Sequence, residues 1–264
     1  MTETHFQLDD SPWFQMIELD EVTSTNDFLR SYRPVKERRI TLVTAEYQSA
    51  GRGSGQNHWE SERGKNLLFS LLLHPRYIAA EHMFVLSEVL ALAIREGLKD
   101  FVQDEMGQSE INAQFKIKWP NDIYFGDNKI CGMLIENDLK GQQLENCVMG
   151  IGINVNQTTF LSDAKNPISL AQVIGREVER RFVLERVMEN FTRYYDWAEQ
   201  GHSTDIHELY LNNLYRKDEK HLFCDEMGDF YGIIIDVEPT GHLIISDAIS
   251  NDKRRYAFKE VEYK

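Results

Sequence analysis

The sequence predicts an α+β fold that closes on a small all-β unit. Three observations carry this. Apolar runs of strand length alternate with amphipathic stretches of helical period as far as residue 214. After Leu214 only short strand-like runs remain, separated by turn signals. A chain of 264 residues, 42% hydrophobic with 14 Phe, 11 Tyr and 4 Trp, can bury one large core and a smaller one beside it.

Residues 15–19 read as a short strand, and Thr23-Ser24-Thr25-Asn26-Asp27 supplies N-cap chemistry for a short helix through Tyr32, ended by Pro34. Residues 40–46 and 66–73 are buried strands. Met83, Leu86, Leu90, Ile94, Leu98 and Phe101 recur at spacings of three and four, which predicts a helix over 81–103. A polar segment from Asp104 to Asn112 leads into a strand over 115–119. Residues 122–125 and 129–136 form a hairpin across Gly126-Asp127-Asn128. A strand at 147–155 and helices at 168–174, 182–200 and 205–213 follow. Strands at 222–224, 230–237, 243–246 and 255–258 complete the chain, with Gly228-Asp229 and Thr240-Gly241 as turns. This last unit, roughly 45 residues, is too small to be robust unless it docks on the main body. The expected division is 1–215 and 216–264.

The formal net charge of −14 argues against general nucleic-acid binding, which needs a basic face, but leaves room for a local basic pocket. No apolar stretch approaches a membrane span. The acidic start, MTETHFQLDDSPWF, lacks the apolar core of a secretory signal. Cys131, Cys147 and Cys224 sit in apolar runs without metal-ligand spacing, so they read as reduced core thiols of a cytoplasmic protein.

Between the strands at 40–46 and 66–73 lies AEYQSAGRGSGQNHWES. It is neither a P-loop, since no Gly-Lys-Ser/Thr follows Gly51 or Gly55, nor a dinucleotide fingerprint, since Gln56 holds the third glycine's place. The segment from Gln48 to about Asn66 has no helical period. Irregular connections above ~12–15 residues are usually functional or disordered. Trp59 suits an ordered role, and Arg52 between two glycines lets a guanidinium and backbone N–H groups converge on one anion.

Strand side chains alternate between faces. In 147–155 one face is Cys147, Met149, Ile151, Ile153 and Val155, which is ordinary core. The other is Val148, Gly150, Gly152 and Asn154, a strip open to a ligand or to tight packing by another element. Lys129 shares a face with Cys131, Met133 and Ile135, opposite Ile130, Gly132, Leu134 and Glu136. It either meets an anion or leaves by the strand's wet end. Lys116 and Lys118 oppose Phe115, Ile117 and Trp119, as on a solvated edge or facing phosphates. Pro120 holds Trp119 extended, and Asn121-Asp122 sets an amide and a carboxylate at the turn.

Five motifs then stand in order: Ser24-Thr25-Asn26; Glu46-Tyr47-Gln48-x-Ala50-Gly51-Arg52-Gly53; Lys118-Trp119-Pro120-Asn121-Asp122; Lys129-Ile130-x-Gly132-x-Leu134-x-Glu136; and Gly150-Ile151-Gly152-Ile153-Asn154. This series resembles the biotin protein ligase family, biotin–[acetyl-CoA-carboxylase] ligase, over essentially the whole chain from Ile17. The resemblance implies a mixed β-sheet flanked by helices, of the class II synthetase-like kind, with a C-terminal SH3-like β-barrel. It implies an enzyme that uses biotin, ATP and Mg²⁺ to form biotinyl-5′-adenylate and then biotinylates a lysine of a biotin carboxyl carrier protein or carrier domain.

The same resemblance implies the site. Ser24, Thr25, Asn26 and Gln48 would bind the ureido head, and Gly132, Gly150 and Gly152 would let its flat rings approach. Arg52, Gly53, Ser54 and Lys129 would hold the carboxylate and α-phosphate. Lys118 would face the triphosphate, with Trp59, Asn121 and Asn154 about the nucleotide. Arg52, Lys118, Lys129 and Asp122 would be catalytic, Asp122 as base or orienter for the incoming lysine. No metal-ligating residue is assigned. Many members read G-R-G-R-x-G-R, whereas Ser54 and Asn57 stand at two basic positions here. That implies weaker holding of the adenylate, or compensation by His58, Arg63 or Lys65. The short stretch ahead of the first strand leaves no room for the helix-turn-helix of repressor members, so no DNA binding is expected. An exposed sheet edge would let two chains pair as a homodimer. The alternatives are a lipoate or octanoate ligase or transferase, for which Cys131 would be the nucleophile to test, and a non-catalytic biotin sensor.

Overall fold

Seven strands pair in one mixed sheet in the order β1-β2-β3-β7-β6-β5-β4. The computed structural model describes residues 8, 11–33, 39–55, 57–75, 78–107, 114–161 and 165–264. Pro34, Gln56 and residues 108–112 of the polar segment lie outside them. The chain runs β1 (Phe14–Val22), α1 (Thr25–Ser31), β2 (Ile40–Gln48), β3 (Leu67–Leu73), a 3-10 turn (Ala80–His82), α2 (Val85–Met106), β4 (Phe115–Lys118), β5 (Asp122–Phe125), β6 (Asn128–Lys140) and β7 (Gln143–Ile153). Then come α3 (Leu170–Ile174), α4 (Arg180–Glu199), α5 (Ser203–Asn212), β8 (Lys220–Asp225), β9 (Gly228–Val237), β10 (Leu243–Asp247), β11 (Lys253–Tyr256) and β12 (Glu262–Tyr263). β1 and β2 are parallel, joined through α1; every other neighbouring pair in the sheet is antiparallel.

The two faces of the sheet divide as the alternation predicts. Phe69, Leu71 and Leu73 of β3 and Cys147, Met149, Ile151 and Ile153 of β7 enter the main core, which α2 and α4 also line. The opposite face is sparsely covered: Val43, Leu72 and Val148 pack on Leu29 of α1. This bare face carries the site. At one edge, Leu214 bridges to Ile117 of β4 and covers it, while β1 ends the sheet at the other.

Several boundaries differ from the sequence reading. Helix α2 starts later and runs through Met106, taking in Asp104 and Glu105, because a surface helix keeps a polar face; Gly107 stops it in the left-handed region at φ 64°. β6 and β7 extend past their apolar stretches to a turn at Gly141, their outer parts being polar because they stand in solvent. The last long strand is Lys253–Tyr256, not 255–258, since its register with β10 ends at Tyr256. β12, a two-residue pairing with β8, has no periodicity to announce it. The C-terminal strands form an antiparallel sheet in the order β11-β10-β9-β8-β12. Among the described residues β11 and β12 do not pair, so the expected barrel is an open sheet.

Candidate active site

Ser24 caps α1, its hydroxyl accepting from Asp27 N–H at 3.4 Å, and this points the first turn of the helix at the bare face of the sheet. Thr25 and Asn26 are buried there. Gln48 Oε1, at the end of β2, accepts from Thr25 N (2.7 Å) and Thr25 Oγ1 (3.0 Å). Ser70 Oγ lies 2.7 Å from both Thr25 Oγ1 and Asn26 Oδ1. Asn26 Nδ2 donates to Leu134 O (3.2 Å) and Glu136 Oε2 (2.9 Å). The result is a neutral, closely satisfied hydrogen-bonding surface.

The glycine strip is needed for close packing, and the structure shows by what. A Cβ on Gly150 would lie 2.3 Å from Asn26 Oδ1, and one on Gly152 2.3 Å from Trp59 Cε2. A Cβ on Gly132 would lie 2.8 Å from Trp59 Cζ3. The indole therefore lies on the strip that the sequence reading left to a flat ligand. Its Nε1 is buried and has no hydrogen-bond partner among the described residues.

Among the described residues no helix or strand lies between Gln48 and Leu67, as the sequence reading expected, but residues 51–55 and 57–59 are held together by backbone contacts. Arg52 bridges to His58, Gly53 N donates to Asn57 O (2.7 Å) and Trp59 N to Gly51 O (3.0 Å). The segment is a small hairpin with Gly55 at its turn (φ 69°). Both groups that the resemblance gave to the anion have partners within the chain. The Gly53 N–H is spent on Asn57 rather than offered to an anion, and Arg52 does not sit open for one. Arg52 donates to Asp27 Oδ1 (2.6 Å) and to Glu136 (2.9 and 3.2 Å). The hydrogen bond to Glu136 raises the Arg52 pKa. Burial pushes Glu136 up, yet the hydrogen bonds from Asn26 and Arg52 outweigh it and hold the carboxyl below its usual range.

The face on which alternation placed Lys129 is corrected. β5 and β6 pair Ile123 with Cys131 but Tyr124 with Lys129, so Ile130 is the extra residue of a β-bulge. Alternation placed Lys129 beside Cys131 and Met133; the bulge turns it to the face of Gly132, where a Cβ would meet its Nζ at 3.3 Å. Its anion is the protein's own Asp122, at 2.6 Å. Lys118 Nζ donates to Tyr124 Oη (2.9 Å) and lies 4.8 Å from the Tyr263 ring centroid. Burial lowers the Lys118 pKa; Asp122 opposes this, and Arg216, Lys129 and Lys165 add to it. Asn121 Nδ2 donates to Met133 O (2.7 Å), tying the turn to β6, and the Trp119–Pro120 peptide is cis. Asn154 Nδ2 donates to the carbonyls of Ile168 (3.2 Å) and Lys129 (3.5 Å) and so braces the wall.

All sixteen site residues that the resemblance implied line one cleft of about 1060 Å³, whereas Arg63, Lys65, Lys116 and Cys131 do not. One end is neutral and polar, the other rich in lysine. The sequence reading missed Ser70 behind the wall and gave no role to Glu136, which it quoted only within a motif. A lone serine inside Leu67-Leu68-Phe69-Ser70-Leu71-Leu72-Leu73 was a usable signal. It also missed Tyr124, Phe160, Lys165, Phe258, Lys259 and Tyr263, which line the cleft; the last three come from the C-terminal segment, and no local pattern reports such a contact. Cys131 and Cys147 are buried core, with burial raising both thiol pKa values. Cys131 is thereby inert, which removes it as a nucleophile. No group of three or more His, Cys, Asp or Glu that could hold a metal occurs among the described residues.

The profile of the Biotin/lipoate A/B protein ligase family matches residues 18–154. The chain belongs to that family. It is 29% identical over 234 residues to the bifunctional ligase/repressor BirA of Bacillus spizizenii, covering 87% of this chain and 69% of that protein. It is 27% identical over 209 residues to the biotin–[acetyl-CoA-carboxylase] ligase of Paracoccus denitrificans, covering 77% and 82%. Its fold matches the biotin protein ligase of Aquifex aeolicus in complex with biotin and ATP at a TM-score of 0.75 and 26% identity, over 94% of this chain and 99% of that one.

Proposed function

We propose that the chain is an ATP-dependent biotin protein ligase that joins biotin to a lysine of a carrier domain through biotinyl-5′-adenylate. The observation that carries this is one cleft with a neutral hydrogen-bonding end, at Thr25, Asn26 and Gln48, and a lysine-rich end, at Lys118, Lys129 and Lys165. A cyclic urea needs matched donors and acceptors without charge, whereas a triphosphate needs cations. In the first step the carboxylate oxygen of biotin bonds to the α-phosphorus of ATP and pyrophosphate leaves. In the second, an acceptor amine bonds to the acyl carbon and AMP leaves.

The residues divide this work. Arg52 passes from Glu136 and Asp27 to the developing anion, where a guanidinium stabilises the transition state. Lys129 gives up part of its pairing with Asp122 to the α-phosphate, and Asp122 then receives the proton that the acceptor amine must shed. Trp59 lifts off Gly152 to admit the ring system and closes over it, shielding the mixed anhydride from water. Lys118, with Tyr124 and Tyr263 about it, faces the triphosphate. Asn121 and Asn154 shape the nucleotide's wall. Mg²⁺ would enter with ATP and offset the charge of its phosphates, and Asp122 is the carboxylate of the cleft that could help hold it.

The acceptor is the carrier domain of a biotin-dependent carboxylase, and residues 1–215 and 216–264 act as two units about one cleft. No helix among the described residues is long and apolar enough to cross a membrane. Three unpaired thiols agree with a cytoplasmic setting. Two chains would pair through the free edge of β1, and DNA is not a partner, the net charge being −14.

The test incubates the protein with biotin, ATP, Mg²⁺ and an apo carrier domain and reads the carrier's intact mass, with lipoate in a parallel arm. A gain of one biotinyl group that requires ATP is expected. A gain with lipoate alone would move the activity to the other branch of the family, and tight biotin binding without transfer would make the protein a sensor.

A further inference from the structure

The hairpin at 51–59 has Ser54 and Asn57 where a phosphate loop would gain from cations, so charge must reach this rim from elsewhere. Two nearby cations are committed outward. Arg63 is paired with Asp20 and Glu21, and Lys65 with Glu177. Lys259 is different. It stands between β11 and β12 with φ 69°, a left-handed conformation that glycine adopts freely and a lysine adopts at a cost. Its ammonium rests on the turn of the hairpin: a Cβ on Gly55 would lie 2.4 Å from Lys259 Nζ. Phe258 lies 5.6 Å from the same nitrogen, and both residues line the cleft. Among the described residues Lys259 has no ion pair.

We infer that Lys259 is the cation that the hairpin itself lacks, delivered from the C-terminal sheet to hold the phosphate of the bound adenylate. The inference rests on the ligase reading and deepens it. Lys118, Lys165 and Lys259 all line the cleft, and Lys259 is the one that comes from the C-terminal segment and touches the hairpin.

The test compares the wild type with Lys259→Gly and Lys259→Arg. Each is loaded with biotin, ATP and Mg²⁺, and the loss of bound biotinyl-adenylate is followed after a chase with unlabelled biotin. Lys259→Gly should release the adenylate about ten-fold faster, the effect of losing one charge-assisted hydrogen bond. It should also show a flatter salt dependence, while Lys259→Arg stays near wild type. Glycine suits the φ at this position, so the melting temperature of Lys259→Gly should equal or exceed that of the wild type, which separates lost charge from lost fold. Equal release rates for wild type and Lys259→Gly would overturn the inference. A wild type that forms no adenylate would overturn the ligase reading instead.

Discussion

Ser70 shows how much of the site hangs on one hydroxyl. It is fully buried and lies 2.7 Å from acceptors on both Thr25 and Asn26. Thr25 spends its own proton on Gln48, so the single proton of Ser70 is shared between Thr25 Oγ1 and Asn26 Oδ1. Ser70→Ala should cost about 1–3 kcal/mol, the usual penalty for a buried polar group stripped of its partner. It should also raise the KM for biotin more than it lowers kcat, since the network positions Asn26 and Gln48 before any bond changes. Urea unfolding and steady-state kinetics check the two halves separately. At the opposite side of the strip, Gly152→Ala would place a methyl 2.3 Å from the Trp59 ring and force the indole off the sheet. The expected outcome is a red-shifted Trp59 contribution to the emission, obtained by difference from Trp59→Phe in each background. An unshifted difference spectrum would mean that the indole does not rest on the strip.

At the scale of elements, α2, α5 and the C-terminal sheet meet through one histidine. His207 of α5 bonds Glu88 of α2 at 2.7 Å and lies 3.4 Å from Asp236 of β9. The hydrogen bond with Glu88 raises the His207 pKa above its ordinary 6.5, although burial opposes it, and Asp236 adds to the rise. Burial raises Glu88 above 4.5, an effect that His207 reduces. A base whose folded pKa is raised contributes fully below its unfolded value and loses that contribution as pH climbs through the folded one. A carboxyl raised by burial also costs stability as pH rises past its unfolded value. The Glu88 cost sets in above its ordinary 4.5 and the His207 loss above its ordinary 6.5, so both weaken this junction as pH rises. His207→Gln should lower the melting temperature by about 2–4 °C at pH 6 and by less at pH 9. A deficit that grows with pH would reject the ion-pair account.

For the whole molecule, the question is whether the C-terminal sheet is an appendage or a wall. Trp119 Nε1 donates to Gly241 O at 2.9 Å, and Phe84 packs so closely on Gly241 that a Cβ there would lie 2.7 Å from its ring. Tyr263 lines the cleft beside Lys118. Residues 1–215 alone would expose Trp119 and Phe84 and leave the lysine-rich end of the cleft unroofed. The truncated chain should melt well below the full one and fail to release pyrophosphate from ATP and biotin. A fragment that retains full adenylation would reduce the sheet to a spectator.

The sequence by itself determined which strands and helices form, because apolar spacing and cap residues are local properties. It also marked part of the cleft, through the motif resemblance and through glycines in a strand interior, lysines on apolar strands and Asn or Ser at a helix start, but not the lining that comes from Tyr124, Phe160, Lys165 and the C-terminal segment. Only the tertiary structure decided how those residues are spent. One bulged residue, Ile130, turned Lys129 to the other face and gave it Asp122. The hairpin consumed the Gly53 N–H and delivered Arg52 to Glu136 and Trp59 to Gly152. Lys259 came to the same rim from two hundred residues away. Register, bulges and long-range contacts follow from the packing of the whole chain, and no window of sequence contains them.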